Sequence, residues 1–349
     1  MQYIIGKYGY WLLAVSCWLL TACSSSDSTD EQRKGSSLTI LPYAATYHDV
    51  GNSQRAMSAG FSSYTPAHDL SIGLFVVPEA GPTDGYNYTT VHPFRYSSGA
   101  WHSQTQVSNG TNYNIYGYMP MQSPITVSVN PLSGGSIQMV FTNIDGVVAD
   151  DVCFVTGVSN AADNLHQGSF GYTGQVDNNY VYLLMDHLFA SVNFKFTLDH
   201  EYSQLRSIKL KSLTLKSTVE IVNAKVTLTP NTTDTNPVSA AVEYTKADGT
   251  SSTKFFESAL GEELNATIIS SYACSFAPIA GNRLTLVSTY DVYDRHGNLI
   301  RENCTATNEL PVLNETRGQR VTFNMKVIPT YLYMLSEPDL DNPTVRVDS

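Results

Sequence analysis

Between Leu188 and Leu198 the side chains alternate strictly. Leu188, Ala190, Val192, Phe194, Phe196 and Leu198 are apolar, while Ser191, Asn193, Lys195, Thr197 and, just beyond, Asp199 are polar. A period of two puts one set on each face of a strand, which then buries one side and wets the other. The same pattern recurs over residues 224–229 and, among Gly, Pro and Asn turns, over 71–77, 112–119, 125–129 and 136–142. From Ile208 to Leu215 the apolar parity shifts, with Ile208 and Leu210 followed by Leu213 and Leu215, and a bulge or tight bend would restore the facing. Residues 283–293 and 298–305 read as a hairpin turning through Asp294-Arg295-His296-Gly297. No stretch carries a long helical period. The expected fold class is therefore all-β, as two tandem antiparallel β-sandwich domains.

The 349 residues suit two domains once the first stretch is set aside. The basic residues are unevenly spread: from Lys34 to Lys195 no lysine occurs, and Arg55 and Arg95 are the only bases between them. The glycines of 168–174 suit a turn near the boundary, giving expected domains at 38–175 and 176–349. Twenty bases against 31 acids leave a net charge of 20 − 31 = −11. An acidic surface cannot neutralise phosphates, so no nucleic-acid partner is expected. Charged residues are only 15% and hydrophobic ones 42%, which excludes disorder throughout.

Residues 1–22 read as a leader. Lys7 precedes an apolar run over residues 10–20, too short to span a bilayer as a helix and long enough for a signal segment. Leu20-Thr21-Ala22-Cys23 resembles the lipobox of bacterial lipoproteins. That resemblance implies a cut before Cys23, lipid on its thiol, and attachment to the outer membrane through that lipid. Residues 23–37 form a flexible acidic tether. Its Ser- and Asp-rich start resembles the surface-export signal of Bacteroidetes lipoproteins and fits a simple linker equally well.

Three cysteines then remain: Cys153, Cys274 and Cys304. In an oxidising compartment Cys274 and Cys304 could pair across neighbouring strands; three buried thiols acting as small hydrophobes fit as well. No Cys-x-x-Cys and no spaced histidine pair is present, so no metal and no cofactor is expected. His68-Asp69 and Asp186-His187 read as structural pairs. Gly157-Val158-Ser159-Asn160-Ala161 lacks the second glycine of a nucleophile elbow. The adjacent acids Asp150-Asp151 and Glu262-Glu263 would face opposite sides of a strand, unsuited to joint acid/base work. No catalytic residue is assigned, and no enzymatic role is expected.

Tyr86, Tyr88, Tyr96, Trp101, Tyr113, Tyr116 and Tyr118 crowd one stretch. Exposed, they could stack on sugar rings, as in a glycan-binding surface lipoprotein of a nutrient-uptake system; buried, they would fill a sandwich core.

Several segments, in chain order, resemble the fimbrillin family of Bacteroidales. They are Tyr113-Asn114-Ile115-Tyr116-Gly117-Tyr118-Met119-Pro120, Asp151-Val152-Cys153-Phe154-Val155, the stretch from Asp186-His187 to Phe194, and Ile328-Pro329-Thr330-Tyr331-Leu332-Tyr333. The resemblance implies transthyretin-like sandwiches and a stalk, tip or anchor place in cell-surface fimbriae. Its implied partners are other fimbrial subunits and a host or bacterial surface ligand. It also implies assembly by strand exchange, in which an Arg-specific or trypsin-like protease removes the first strand and another subunit's strand fills the groove. Arg55-Ala56 resembles the cleaved bond, downstream of a first strand around 38–41, and Arg55 fits an ordinary loop arginine as well. The donor would lie in the C-terminal segment, where Val321, Phe323, Met325 and Val327 alternate ahead of a tail at 344–347.

Overall fold

The computed structural model describes residues 35–49, 61–159, 169–176, 178–231 and 238–328. Cys23, Arg55, Ala56 and the tail at 344–347 lie outside these residues. The fold is all-β, with three main sheets.

In the first sheet the strands run in the order β4 (Phe61–Ser63), β2 (Thr39–Ala45), β15 (Tyr180–His187), β13 (Cys153–Ser159), β9 (Asn112–Met119), β5 (Ser71–Pro78), β6 (His92–Ser97) and β7 (Ala100–His102). A further strand, β14 (Gly171–Thr173), also pairs with β9. The ends of this sheet approach one another: β2 touches β7, and β1 (Ser36–Ser37) pairs with β8 (Gln106–Val107). The Leu38 N–H donates to the Thr105 carbonyl at 2.8 Å. The sheet thus curls around a core that includes Ile40, Ile72, Leu74, Phe94, Ile115 and Leu183. Its central strands are apolar on both faces: on β5, Ile72, Leu74 and Val76 point into that core while Phe75 and Val77 point to a second one. Burial on both sides explains why β5 reads as a near-continuous apolar run.

The second sheet runs β10 (Thr126–Pro131), β11 (Ile137–Asp145), β17 (Arg206–Pro230), β20 (Leu284–Asp294) and β21 (Leu299–Glu309), with β18 (Val238–Glu263) on the other side of β17. The third runs β12 (Val147–Val148), β19 (Ser270–Phe276), β16 (Ala190–Leu198), β22 (Gln319–Val327) and β3 (His48–Asp49).

The long strand β17 serves two cores. Ile208, Leu210, Leu213 and Leu215 pack against the third sheet, with Phe194, Phe196 and Phe276. Farther along, Val222, Ala224, Val226 and Leu228 pack with Phe141, Phe154 and Tyr118, against the first sheet. Two irregularities make this possible. The pairing of β17 with β20 slips between Leu210 and Ser212, and its pairing with β18 slips around Val219. Each extra residue resets which parity faces inward.

Strand pairing crosses residue 175. β15 lies after it yet belongs to the first sheet, and β10 and β11 lie before it yet pair through β11 with β17. The expected division at 38–175 and 176–349 therefore does not separate the sheets. The physical reason is the length of β17, which reaches both halves. The hairpin expected around Asp294 is present: β20 and β21 meet at a turn in which Asp294 Oδ1 accepts from the His296 and Asn298 N–H groups, each at 2.8 Å.

Candidate functional site

Among the described residues every pairing is antiparallel except three. β2 runs parallel to β15, β22 runs parallel to β16, and β3 runs parallel to β22. These pairings belong to the first strands of the described chain and to its last. Strands that follow one another through short turns pair antiparallel, whereas a parallel neighbour must arrive from a distant part of the chain. β2 and β22 thus each lie beside a strand far from them in sequence.

The seat of the N-terminal segment is extended and mixed. On β2 the pattern puts Ile40, Pro42 and Ala44 inward, with Leu38 just ahead of them also buried. Burying Ile40 contributes about 1.5–3 kcal/mol. Pro42 brings no N–H to the ladder, which is unusual for a strand flanked on both sides by β15 and β4. The Thr39 N–H donates to the Asn179 carbonyl at 2.7 Å, and the His48 N–H to the Gly318 carbonyl at 2.9 Å. A segment of fifteen described residues, 35–49, therefore touches the first sheet through β2 and the third through β3.

Between β2 and β3 sits a polar cluster. His187, at the end of β15, is buried, with Nδ1 2.6 Å from Asp151 Oδ2 and Nε2 2.7 Å from the Ala45 carbonyl oxygen. The Tyr47 hydroxyl donates to the other Asp151 oxygen at 2.7 Å, and its ring stacks on the imidazole at 3.7 Å with 17° between the planes. The Arg320 guanidinium lies 4.5 Å from the Tyr47 ring centre. Asp186 accepts from the His187 N–H at 2.8 Å and pairs with Arg317, which also donates to the His187 carbonyl at 3.3 Å. Burial pulls the imidazole pKa down. The hydrogen bond to Asp151, the charges of Asp151 and Asp186, and the Ala45 carbonyl outweigh it, and the net shift is upward from 6.5.

Cys153 closes the cluster, its sulfur 3.7 Å from His187 Nδ1. Asp151, Cys153 and His187 bring their ligand-type atoms within 4.8 Å of one another. Their donors and acceptors are, however, committed elsewhere: both His187 nitrogens and both Asp151 oxygens are engaged as described. Burial, then Asp151, pushes the Cys153 thiol well above its usual range. A nucleophilic cysteine needs a thiolate and a base aimed at it, and this thiol has neither. The arrangement holds chain segments together.

The other sequence-derived sites are dispersed. His68 pairs with Asp150 at 3.2 Å rather than with Asp69. Adjacent Asp150 and Asp151 do face different partners. Glu262 accepts from Ser270 and Tyr272. Cys274 and Cys304 are free thiols, contrary to the possible disulfide. They lie on β19 and β21, strands of different sheets rather than neighbours, and the Cys274 thiol donates instead to the Val148 carbonyl at 3.2 Å. Of the aromatic stretch, Tyr113, Tyr116 and Tyr118 are buried in the two cores flanking β9. Tyr88 stacks on Tyr116, and Trp101 and Tyr86 pack against the first core. An open groove by Tyr86, His92, Arg95 and His102 has Tyr86 as its one aromatic, with the hydroxyl donating to the Gln106 carbonyl at 2.6 Å. An apolar cleft of about 290 Å³ lies at the far end of β22, lined by Phe196, Leu210, Leu264, Tyr290, Met325 and Ile328.

The His187 cluster was not legible from spacing. Asp186-His187 stood out as a pair, but the partners of the imidazole are Asp151 and the backbone of Ala45, and no local pattern announces either.

No protein-family model and no curated protein matches the chain. Solved structures similar to it include one from Bacteroides fragilis NCTC 9343 described as a candidate cell adhesion protein, with 12% identity, a TM-score of 0.46, and coverage of 84% of this chain and 93% of that one. A fimbrial protein from Bacteroides vulgatus ATCC 8482 is 14% identical with a TM-score of 0.34, over 82% and 95% of the two chains. The fimbrial anchor protein Mfa2 from Porphyromonas gingivalis is 12% identical with a TM-score of 0.20, over 78% and 82%.

Proposed function

We propose that this chain is a structural subunit, or a tip or anchor component, of cell-surface fimbriae, exported as a lipoprotein through Cys23 and supporting adhesion. The observation that carries this reading is the parallel placement of β2. Withdrawing β2 would break its parallel pairing with β15 and its short antiparallel pairing with β4, and would leave the β15 edge and the apolar core beneath it uncovered. Another subunit's strand then fits that vacancy, as in strand-addition complexes. Arg55 follows β3 by a few residues, so a cut at Arg55-Ala56 would free β1, β2 and β3 together. β22 lies parallel on β16 with Val321, Phe323, Met325 and Val327 against the second-to-third sheet core, the alternation a donor strand requires.

The test is N-terminal mass spectrometry of protein shed from cells, repeated after limited trypsin digestion of the purified precursor. A new terminus at Ala56, with detergent-resistant multimers, is the expected result for a polymerising subunit. A terminus fixed at lipidated Cys23 with monomers after digestion would remove strand exchange and leave an anchor.

A further inference from the structure

We propose that His187, Asp151 and Tyr47 form a protonation-controlled clasp on the N-terminal segment, closed while the imidazole carries both protons and loosened when it loses one. This rests on the reading that the residues ahead of Arg55 can leave the fold, and it adds what sets how readily they leave.

The hydrogen-bond arithmetic requires the charged ring. The Ala45 carbonyl can only accept, so His187 Nε2 must donate across their 2.7 Å. Asp151 Oδ2 accepts at 2.6 Å from Nδ1, while its Oδ1 already accepts from Tyr47. A ring that donates from both nitrogens is an imidazolium. Losing one proton leaves a nitrogen lone pair facing either the Ala45 oxygen or the Asp151 carboxylate, and an attraction becomes a repulsion. Two of the three contacts made by the clasp, at Ala45 and Tyr47, belong to the segment that would depart.

Every charged or titratable group facing the ring fits this assignment. Asp151 and Asp186 supply negative charge; Arg317 is engaged with Asp186, and Arg320 stands behind the Tyr47 ring. Burial holds neutral both the Cys153 thiol and the Tyr64 hydroxyl near Asp151 and Cys153, and Gly318 lies against the ring edge. The imidazole titrates above its ordinary 6.5 despite burial, because Asp151 binds its charged form. Because Nε2 must keep its proton to donate to Ala45, the clasp is closed while the ring is doubly protonated and is lost as pH rises through the raised value.

The experiment uses the mature full-length chain. Imidazole nitrogen shifts of His187, followed from about pH 5.5 to 9, report whether both nitrogens carry protons at neutrality. Hydrogen exchange at the amides of Thr39–Ala45, corrected for intrinsic rates and compared with β17, reports opening of the segment. The expected result is a doubly protonated ring at neutral pH and opening of β2 that increases by up to about tenfold per pH unit as pH approaches the raised value and levels off above it. In His187→Gln that slope should vanish. A singly protonated ring at neutral pH, or the same slope in His187→Gln, overturns the proposal. Should His187→Gln not fold, Tyr47→Phe keeps the imidazole: opening should rise at every pH with the slope retained, and no change at any pH overturns the clasp. Trypsin added to the same samples separates the two readings, since failure to generate Ala56 removes the processing site while the exchange data still judge the clasp.

Discussion

His187 Nε2 lies 2.7 Å from the carbonyl oxygen of Ala45, although 142 residues separate the two in the chain. That bond joins the end of β15 to the end of β2, the strand laid parallel beside it. The N-terminal segment is consequently held by backbone pairing along its length and by one buried polar cluster at the point where it passes from the first sheet to the third.

Ile40 is 1% exposed on β2, and Ile40→Ala should weaken the seat of that strand by roughly 2–5 kcal/mol, the range for truncating a buried isoleucine. The loss should be local. Amides of Thr39–Ala45 should exchange faster while those of β17 hold, and equal loss in both strands would show that β2 cannot open separately.

Stability should fall as pH rises from neutrality toward 9. A raised native pKa for His187 means that the folded state binds its proton more tightly than the unfolded chain. Its contribution is complete below 6.5 and is lost through the raised value, and near 9 the buried Cys153 thiol begins to add a loss of the same sign. Urea midpoints measured across this window should decline in the native sequence and decline less in His187→Gln.

Gly146 lies where the chain leaves β11 for β12. Its N–H donates to the Glu220 carbonyl at 3.0 Å, and its carbonyl accepts from Ala277 at 2.9 Å. A Cβ there would stand 2.1 Å from the Val219 carbonyl oxygen, which belongs to backbone and cannot swing aside. Gly146→Ala should cost at least about 1–3 kcal/mol by overpacking, read as a lower urea midpoint. An unchanged midpoint would mean that β12 is free to shift.

Among Cys153, Cys274 and Cys304, only Cys304 is partly exposed. Burial raises all three thiol pKa values, with Cys274 far above its usual range. Iodoacetamide on the native protein should modify Cys304 slowly and spare the other two, and all three should react in denaturant. A mass two hydrogen atoms lighter, insensitive to alkylation at Cys274 and Cys304, would restore the disulfide.

Strands with a wet face and a dry face were readable because the pattern is local. Residues 112–119 match β9 end to end, and the parity shift at Ile208 to Leu215 is the slip seen between Leu210 and Ser212. β18 escaped because its inward set is short: Val238, Ala240, Val242 and Tyr244 alternate toward a core, and residues 245–250 are all exposed, as suits an edge strand. The aromatic stretch was ambiguous in sequence, since tyrosine suits both a sugar platform and a core. Burial on both faces of β9 assigns Tyr113, Tyr116 and Tyr118 to the core, while Tyr86, Tyr88, Tyr96 and Trp101 are partly exposed.

By itself the sequence determined that this chain is built of strands, where many of them run, and which side of each is dry, because a period of two is written in neighbouring residues. Only the tertiary structure decided which strands lie beside the chain ends, that β17 belongs to two cores, and that Tyr47, Asp151 and His187 meet. Those outcomes depend on pairing across scores of residues, where register is chosen by the packing of whole sheets and leaves no local mark.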